Sequence, residues 1–174
     1  EIVRDVTSWT SSRDFTLTET VREASLAPDG SFGPLATVSC TQEDFDDLNG
    51  ISRKVAETKG FGSTYGRTTR YGFYSNPADS AAYGRLKWRS NPDGSFVHYG
   101  LTCDMVASTV TMVKSTPWRD YKWDPLAQPS GPTLSNCVVE TTYFTTDSTT
   151  VSTVVNSQTV SYRTKTWTTE SDGT

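Results

Sequence analysis

Hydrophobic and polar residues alternate with a period of two over much of the chain. Mostly apolar residues alternate with threonines between Arg13 and Ala27, and Leu86 and Trp88 alternate with charged residues between Ala82 and Ser90. Successive side chains of a β-strand point to opposite faces, so this period is typical of strands with one buried face. The pattern therefore predicts a protein built from antiparallel strands.

A five-residue turn sequence, Pro-Asp-Gly-Ser-Phe, occurs twice, at residues 28–32 and 92–96. Proline fixes φ at the first corner of a turn, aspartate bonds back to the turn backbone, and glycine supplies a positive φ. Each copy therefore predicts the tip of a β-hairpin. The strands that follow the two turns end at Cys40 and Cys103.

Only one segment, from about Thr41 to Thr58, follows the spacing of a helix. Its apolar residues include Phe45, Leu48 and Ile51, and Thr41 is a suitable N-cap. We therefore expect one short helix near residues 41–58, although Gly50 weakens its middle and leaves two short turns as an alternative.

The acidic residues of this segment raise the question of calcium, which oxygen-rich loops bind. Residues 43–50 depart from the register of a calcium loop and lack the acidic residue that closes it. We expect a solvated helix start and no metal site.

The second half of the chain also has a strand pattern, interrupted once. The β-branched run from Val106 to Lys114 predicts an inner strand, and three strands with turns at Asp147-Ser148 and Asn156-Ser157 are expected from Cys137 to Thr168. Between them, residues 115–136 contain four prolines and show neither period, which predicts a long loop. A chain of 174 residues can bury a core of its own, so we expect a single β-rich domain, residues 1–174, with an all-β antiparallel sandwich or barrel fold.

Charge is distributed unevenly along the sequence. The chain has a net charge of -4, yet the segment 53–89 contains eight basic and two acidic residues, so its balance is 8 - 2 = +6. Arginine and aromatic side chains together can stack on sugars or bases and pair with phosphate, sulfate or carboxylate groups. The binding residues predicted from this segment are Arg67, Arg70, Tyr71, Tyr74, Tyr83, Arg85, Lys87 and Arg89. The alternative is a basic outer sheet face whose tyrosines cover the edge of a core.

The proline-rich loop adds three aromatic residues, Trp118, Tyr121 and Trp123. Exposed tryptophans on a stiff loop can stack on a sugar or cover an apolar pocket. We predict that these residues complete the binding site. The alternative is a compact loop that its tryptophans attach to the body of the protein.

The three cysteines lack the spacing of zinc ligands. Because Cys40 and Cys103 end corresponding hairpin strands, we predict a disulfide between them. A Cys103–Cys137 bridge and three free thiols are the alternatives.

Few catalytic sets are compatible with the sequence. It contains one histidine, His98, and no G-x-S-x-G, H-E-x-x-H or phosphate-binding glycine motif, whereas a glycosidase-type carboxylate pair stays open. No cofactor is predicted, and no apolar run approaches the roughly 18 residues of a membrane span.

We expect a non-catalytic β-module at an extracellular, cell or virion surface. Its partner would be an anionic or carbohydrate ligand, or protein subunits of an assembly. One alternative is a lipocalin-like barrel that holds a small hydrophobic ligand, with or without lyase or isomerase activity. The other is a coat protein that contacts nucleic acid.

Overall fold

The computed structural model describes residues 1–78, 82–104 and 106–166, which form β-strands joined by turns and loops and one short 3-10 helix. The strands are β1 (Ile2–Ser11), β2 (Asp14–Leu26), β3 (Phe32–Leu48), β4 (Ile51–Lys59), β5 (Arg67–Phe73), β6 (Leu86–Ser90), β7 (Phe96–Asp104), β8 (Thr109–Pro117), β9 (Cys137–Phe144), β10 (Ser148–Val155) and β11 (Gln158–Thr166). The predicted all-β antiparallel class is confirmed. Within the described ranges, no helix is long and apolar enough to cross a membrane.

Contacts within the chain divide it into two compact units, Glu1–Tyr71 and Gly72–Thr174. In each unit, strands that are neighbours in the chain pair antiparallel, so each unit contains a β-meander. β1 is the edge strand of the first unit and β11 that of the second. That the whole chain forms one domain stays a prediction.

Both predicted hairpins are confirmed, and their turns have the same geometry. In the first turn, residues 28–32, Ser31 donates to Asp29 Oδ1 from its backbone N at 2.9 Å and from its Oγ at 2.6 Å. In the second turn, residues 92–96, Ser95 makes the same two bonds to Asp93 Oδ1, at 2.8 and 2.6 Å. The turn glycines have φ of 84° and 80°, so the repeated sequence specifies one conformation.

The predicted helix near residues 41–58 is wrong. The segment is the end of β3, a turn at Asn49-Gly50, and β4. Asn49 and Gly50 have φ of 48° and 88°, as in the two-residue turns whose twist matches that of paired strands. Asp47 Oδ1 accepts a 2.7 Å bond from Gly50 N. The Asn-Gly pair therefore outweighs the helical spacing of the apolar residues.

The acidic residues near this turn do not all lie on one side of the sheet. Alternation along β3 distributes residues 43–47 over two faces of the sheet. In the part of the chain that the structure describes, no group of three or more His, Cys, Asp or Glu residues could hold a metal ion.

The second half of the chain follows the predicted order with shifted boundaries. The inner strand β8 runs from Thr109 to Pro117, so Val106 lies in the preceding turn. The long loop covers residues 118–133 and ends in the 3-10 helix Leu134–Asn136. Three strands follow as predicted as far as Thr166, and the predicted end at Thr168 lies outside the described residues.

Burial differs sharply between the two units. Not one of residues 1–71 is buried. The second unit contains a small core of Phe96, Trp123 and Cys137, with Trp88 and Tyr121 packed against it. A sheet normally buries at least one face against another layer, so the first unit is an unusual sheet.

Candidate functional site

The two predicted binding arginines of β5 lie on opposite faces of the sheet. Arg67, Arg70 and Tyr71 lie on β5, where pairing with β4 places Arg67 opposite Lys59 and Arg70 opposite Ala56. Residues three apart on a strand point to opposite faces. The two arginines are therefore separated by the thickness of the sheet, and their role in binding stays a prediction.

The basic residues around β6 are arranged more nearly as predicted. Trp88 points toward the core, with its ring centroid 6.1 Å from that of Trp123, while Arg85 and Arg89 are exposed. Lys87 is half-buried, and its Nζ lies 5.7 Å from the centroid of the Tyr74 ring. Arg85 and Arg89 therefore present positive charge to solvent.

The polar groups of two predicted binding tyrosines are used within the chain. The Tyr74 hydroxyl donates to Tyr99 O at 2.6 Å and accepts from Leu101 N at 3.1 Å. The Tyr121 hydroxyl accepts a 2.9 Å bond from Thr133 N. Both hydroxyls hold backbone in place, whereas Tyr83 is a half-buried residue of the turn before β6.

Trp123 is not an exposed stacking residue, which corrects the prediction for the loop. It is 4% exposed and packs its ring against Phe96 at 5.2 Å. Its Nε1 donates to Gln128 O at 3.1 Å. The alternative of a loop attached to the body of the protein by a tryptophan is therefore correct for Trp123. Trp118 is half-exposed, with the Arg119 guanidinium 5.5 Å from its ring centroid.

His98 lies beneath the loop, next to a buried serine. Its ring meets that of Trp123 edge to face at 5.4 Å, and Ser115 is its cross-strand neighbour on β8. His98 Nε2 and Ser115 Oγ are buried without a hydrogen-bond partner, and Ser115 is 0% exposed. Burial, together with the charge of Lys87, lowers the pKa of His98. His98 therefore packs its ring against Trp123 at the edge of the small core.

The predicted Cys40–Cys103 disulfide is wrong: no disulfide is found among the described residues. Cys40 lies on β3 of the first unit opposite Thr20, and Cys103 lies on β7 of the second unit opposite Val110. Cys137 is buried, and burial raises its thiol pKa to about 11.

One face of the first unit carries a row of aromatic rings. Trp9, Phe15 and Phe45 are neighbours on β1, β2 and β3, with ring centroids 6.5 and 4.8 Å apart. Lys54 on β4 is the next residue of the row. We call this side of the sheet the aromatic face. Phe15 was recognised in the strand pattern, whereas Phe45 was assigned to the helix and Trp9 was missed.

Charged residues on the aromatic face are paired with one another. Lys54 Nζ lies 2.8 Å from Glu43 Oε1 and 2.6 Å from Glu57 Oε2, and Arg4 pairs with Glu19. The hydrogen bonds that Lys54 donates to Glu43 and Glu57 raise the pKa of Lys54, and the bond from Lys54 lowers the pKa of Glu57. The aromatic face is therefore apolar along one row and close to neutral elsewhere.

The opposite side of the same sheet is lined by hydroxyl groups. Thr16 Oγ1 donates to Asp44 Oδ1 at 2.9 Å, and the hydroxyls of Thr58 and Thr68 lie 2.9 Å apart. We call this side the hydroxyl face. The polar groups of the hydroxyl face bond to one another and are compatible with contact with water. Covering the aromatic face would remove more apolar surface from water and is therefore the more favourable of the two.

Comparisons with protein-family models, with curated proteins and with solved structures found no match to this chain.

Proposed function

We propose that this chain is a non-catalytic β-module of an extracellular, cell-surface or virion assembly, and that it associates with further copies of itself through the aromatic face. The observation that carries the proposal is that none of residues 1–71 is buried. Large apolar side chains nevertheless stand on one side of this sheet, among them Trp9, which is 66% exposed. Contiguous exposed apolar surface is typical of an interaction site.

The size of the face supports an interface. Strands lie about 4.8 Å apart and rise about 3.3 Å per residue, so four strands of about nine residues cover roughly 19 by 30 Å, or about 600 Å² in projection. Side chains that stand up from the sheet increase the accessible area. This is of the order of the ~800 Å² that each partner buries in a standard-size interface.

The charge pattern favours an identical partner. Arg4, Lys54 and Lys59 are already paired with carboxylates, so most of the positive charge on this face is balanced within the chain. A second copy would supply a matching row of aromatic rings, and most soluble oligomers are built from identical subunits.

Sedimentation velocity of two variants tests the proposal. Phe15→Thr removes the middle ring of the row and keeps a residue that suits a strand, so we expect self-association to weaken at least tenfold. Thr18→Ala on the hydroxyl face is the matched control and should associate like the wild type. Equal association of both variants, with folding verified by circular dichroism, would place the interface elsewhere.

A second candidate function is binding of an anionic partner in the second unit. It is favoured by Arg85 and Arg89, which are exposed on either side of the inward-pointing Trp88. Reversing both charges to glutamate should weaken binding to immobilised heparin, and added salt should weaken wild-type binding, because exposed charges are screened within about 10 Å at 0.1 M salt. Unchanged retention would leave these arginines as solvated surface residues.

A further inference from the structure

The two copies of the repeated turn share a conformation but differ in their surroundings. Phe96 in the second turn is 1% exposed, whereas its counterpart Phe32 in the first turn is 75% exposed. The hydrogen bonds of the Asp and Ser residues match between the copies within about 0.1 Å. The difference therefore lies in what covers each turn.

Three consecutive loop residues, Tyr121, Lys122 and Trp123, cover the second turn. The two aromatic rings meet Phe96 edge to face, with centroids 5.8 and 5.2 Å away. Between them, Lys122 Nζ donates to Asp93 O at 2.5 Å. The aliphatic part of the same lysine lies so close to Gly94 that an added Cβ would be 2.6 Å from Lys122 Cδ. The turn is thus recognised by an aromatic–lysine–aromatic segment.

The first turn has the same recognition surface without a cover. An added Cβ at Gly30 would meet nothing within 4 Å. The tip of this hairpin also projects beyond the strands on either side of it. The last backbone hydrogen bond to the β1 side is donated by Arg22 N to Glu1 O, and the last one to the β4 side is donated by Phe61 N to Cys40 O. Among the described residues, those of the hairpin between Arg22 and Cys40 therefore pair only with each other. An isolated two-stranded ribbon is marginally stable in water, so a partner on this end would add stability.

We propose that the first turn is a docking site for a partner protein segment that carries a lysine between two aromatic residues. The lysine would donate to Asp29 O, as Lys122 does to Asp93 O, and the aromatic rings would pack their edges on Phe32. The Asp29 carboxylate adds a negative charge that complements the lysine. The chain's own loop is already engaged at the second turn, so the segment comes from another molecule. This inference extends the proposed binding role but is independent of the aromatic face.

The test uses the full chain and a peptide of its own loop as the probe. Trp118 N donates to Asn136 O at 2.8 Å, so the ends of this segment are adjacent. A peptide of residues 118–136, cyclised through added terminal cysteines, keeps them together. In NMR titrations of the isotope-labelled chain, we expect the amides of Gly30, Ser31 and Phe32 to shift on addition of the peptide.

Matched variants identify the contacts. Phe32→Ser in the chain should weaken binding at least tenfold, whereas Leu35→Ser, an exposed position on the same hairpin, should change it little. Lys122→Met in the peptide should also weaken binding about tenfold, because a hydrogen bond from a charged donor is lost.

Any of these results would overturn the proposal: no shifts at millimolar peptide, equal binding of the methionine peptide, or binding unaffected by Phe32→Ser. Sedimentation of Phe32→Ser in the absence of peptide separates this site from the aromatic face. We expect unchanged self-association. If self-association is lost, a second copy occupies the turn, which would also overturn the proposal.

Discussion

Individual side chains in this protein take their roles from their surroundings. Phe32 and Phe96 end identical turn sequences, yet Phe32 is exposed and Phe96 is buried in the core of the second unit. Trp123 and Trp118 are five residues apart on one loop, yet only Trp123 enters that core. Local sequence specifies conformation here, and packing decides exposure.

Replacement of Trp123 by alanine tests its structural role. The side chain packs on Phe96, Trp88 and His98, so Trp123→Ala should lower the free energy of unfolding by about 3–5 kcal/mol, as is usual for a buried large aromatic residue. Trp118→Ala is the matched control on the same loop and should cost about 1 kcal/mol or less. Urea unfolding provides both values. Equal costs would show that the loop is not held by Trp123.

The stability of the second unit should depend on pH through His98. Its pKa in the folded state lies below the ordinary value of about 6.5 because burial disfavours the charged form. The unfolded chain therefore binds more protons below about pH 6.5, and stability falls as the pH drops from there toward the lowered folded pKa.

His98→Phe keeps an aromatic ring beneath Trp123 and removes this titration. We expect the urea midpoint of the wild type to fall between about pH 7 and pH 5.5 by more than that of the variant, since carboxylates titrate in both proteins. Parallel pH profiles would contradict a lowered pKa of His98 in the folded state.

At the scale of elements, the turn at Asn49-Gly50 decides whether residues 41–58 form a helix or a hairpin. Gly50 has a φ of 88°, and an added Cβ would meet no atom within 4 Å. A substitution there would therefore lower the free energy of unfolding through the unfavourable positive φ and not through a steric clash with a neighbour. Gly50→Ala should destabilise the first unit by about 1 kcal/mol, and Gly50→Asn should cost less because asparagine adopts positive φ more readily. Thermal unfolding of both variants is the measurement. Equal costs would indicate that the turn does not require its positive φ.

The predictable part of the fold is the part specified by local chemistry. Period-two alternation and the repeated Pro-Asp-Gly-Ser-Phe sequence correctly predict the hairpins of β2–β3 and β6–β7. The segment 41–58 was assigned wrongly because its apolar residues fit both a helix and two paired strands. Only the backbone preference of Asn49-Gly50 distinguishes the two structures.

Non-local features of the candidate site could not be derived from the pattern. The aromatic row depends on the register that places Phe45 beside Phe15, and register is a property of the paired strands. Similarly, alternation indicated correctly that Trp88 points inward, but nothing in the sequence shows that Trp123 lies against it.

At the scale of the whole molecule, an all-β chain contains one unit with a small core and another without a buried residue. Hydrophobic burial is the dominant favourable contribution to folding. Association would therefore stabilise the first unit most where it buries exposed apolar side chains, which is at the aromatic face.

Hydroxyl-radical footprinting across a range of protein concentrations tests this central claim most directly. As the concentration rises from low micromolar toward millimolar, oxidation of Trp9, Phe15 and Phe45 should fall together because an identical subunit covers their rings. Tyr65, an exposed residue of the turn between β4 and β5, should react at a constant rate and serves as the internal control. Oxidation of the three rings that does not change with concentration would contradict association through the aromatic face.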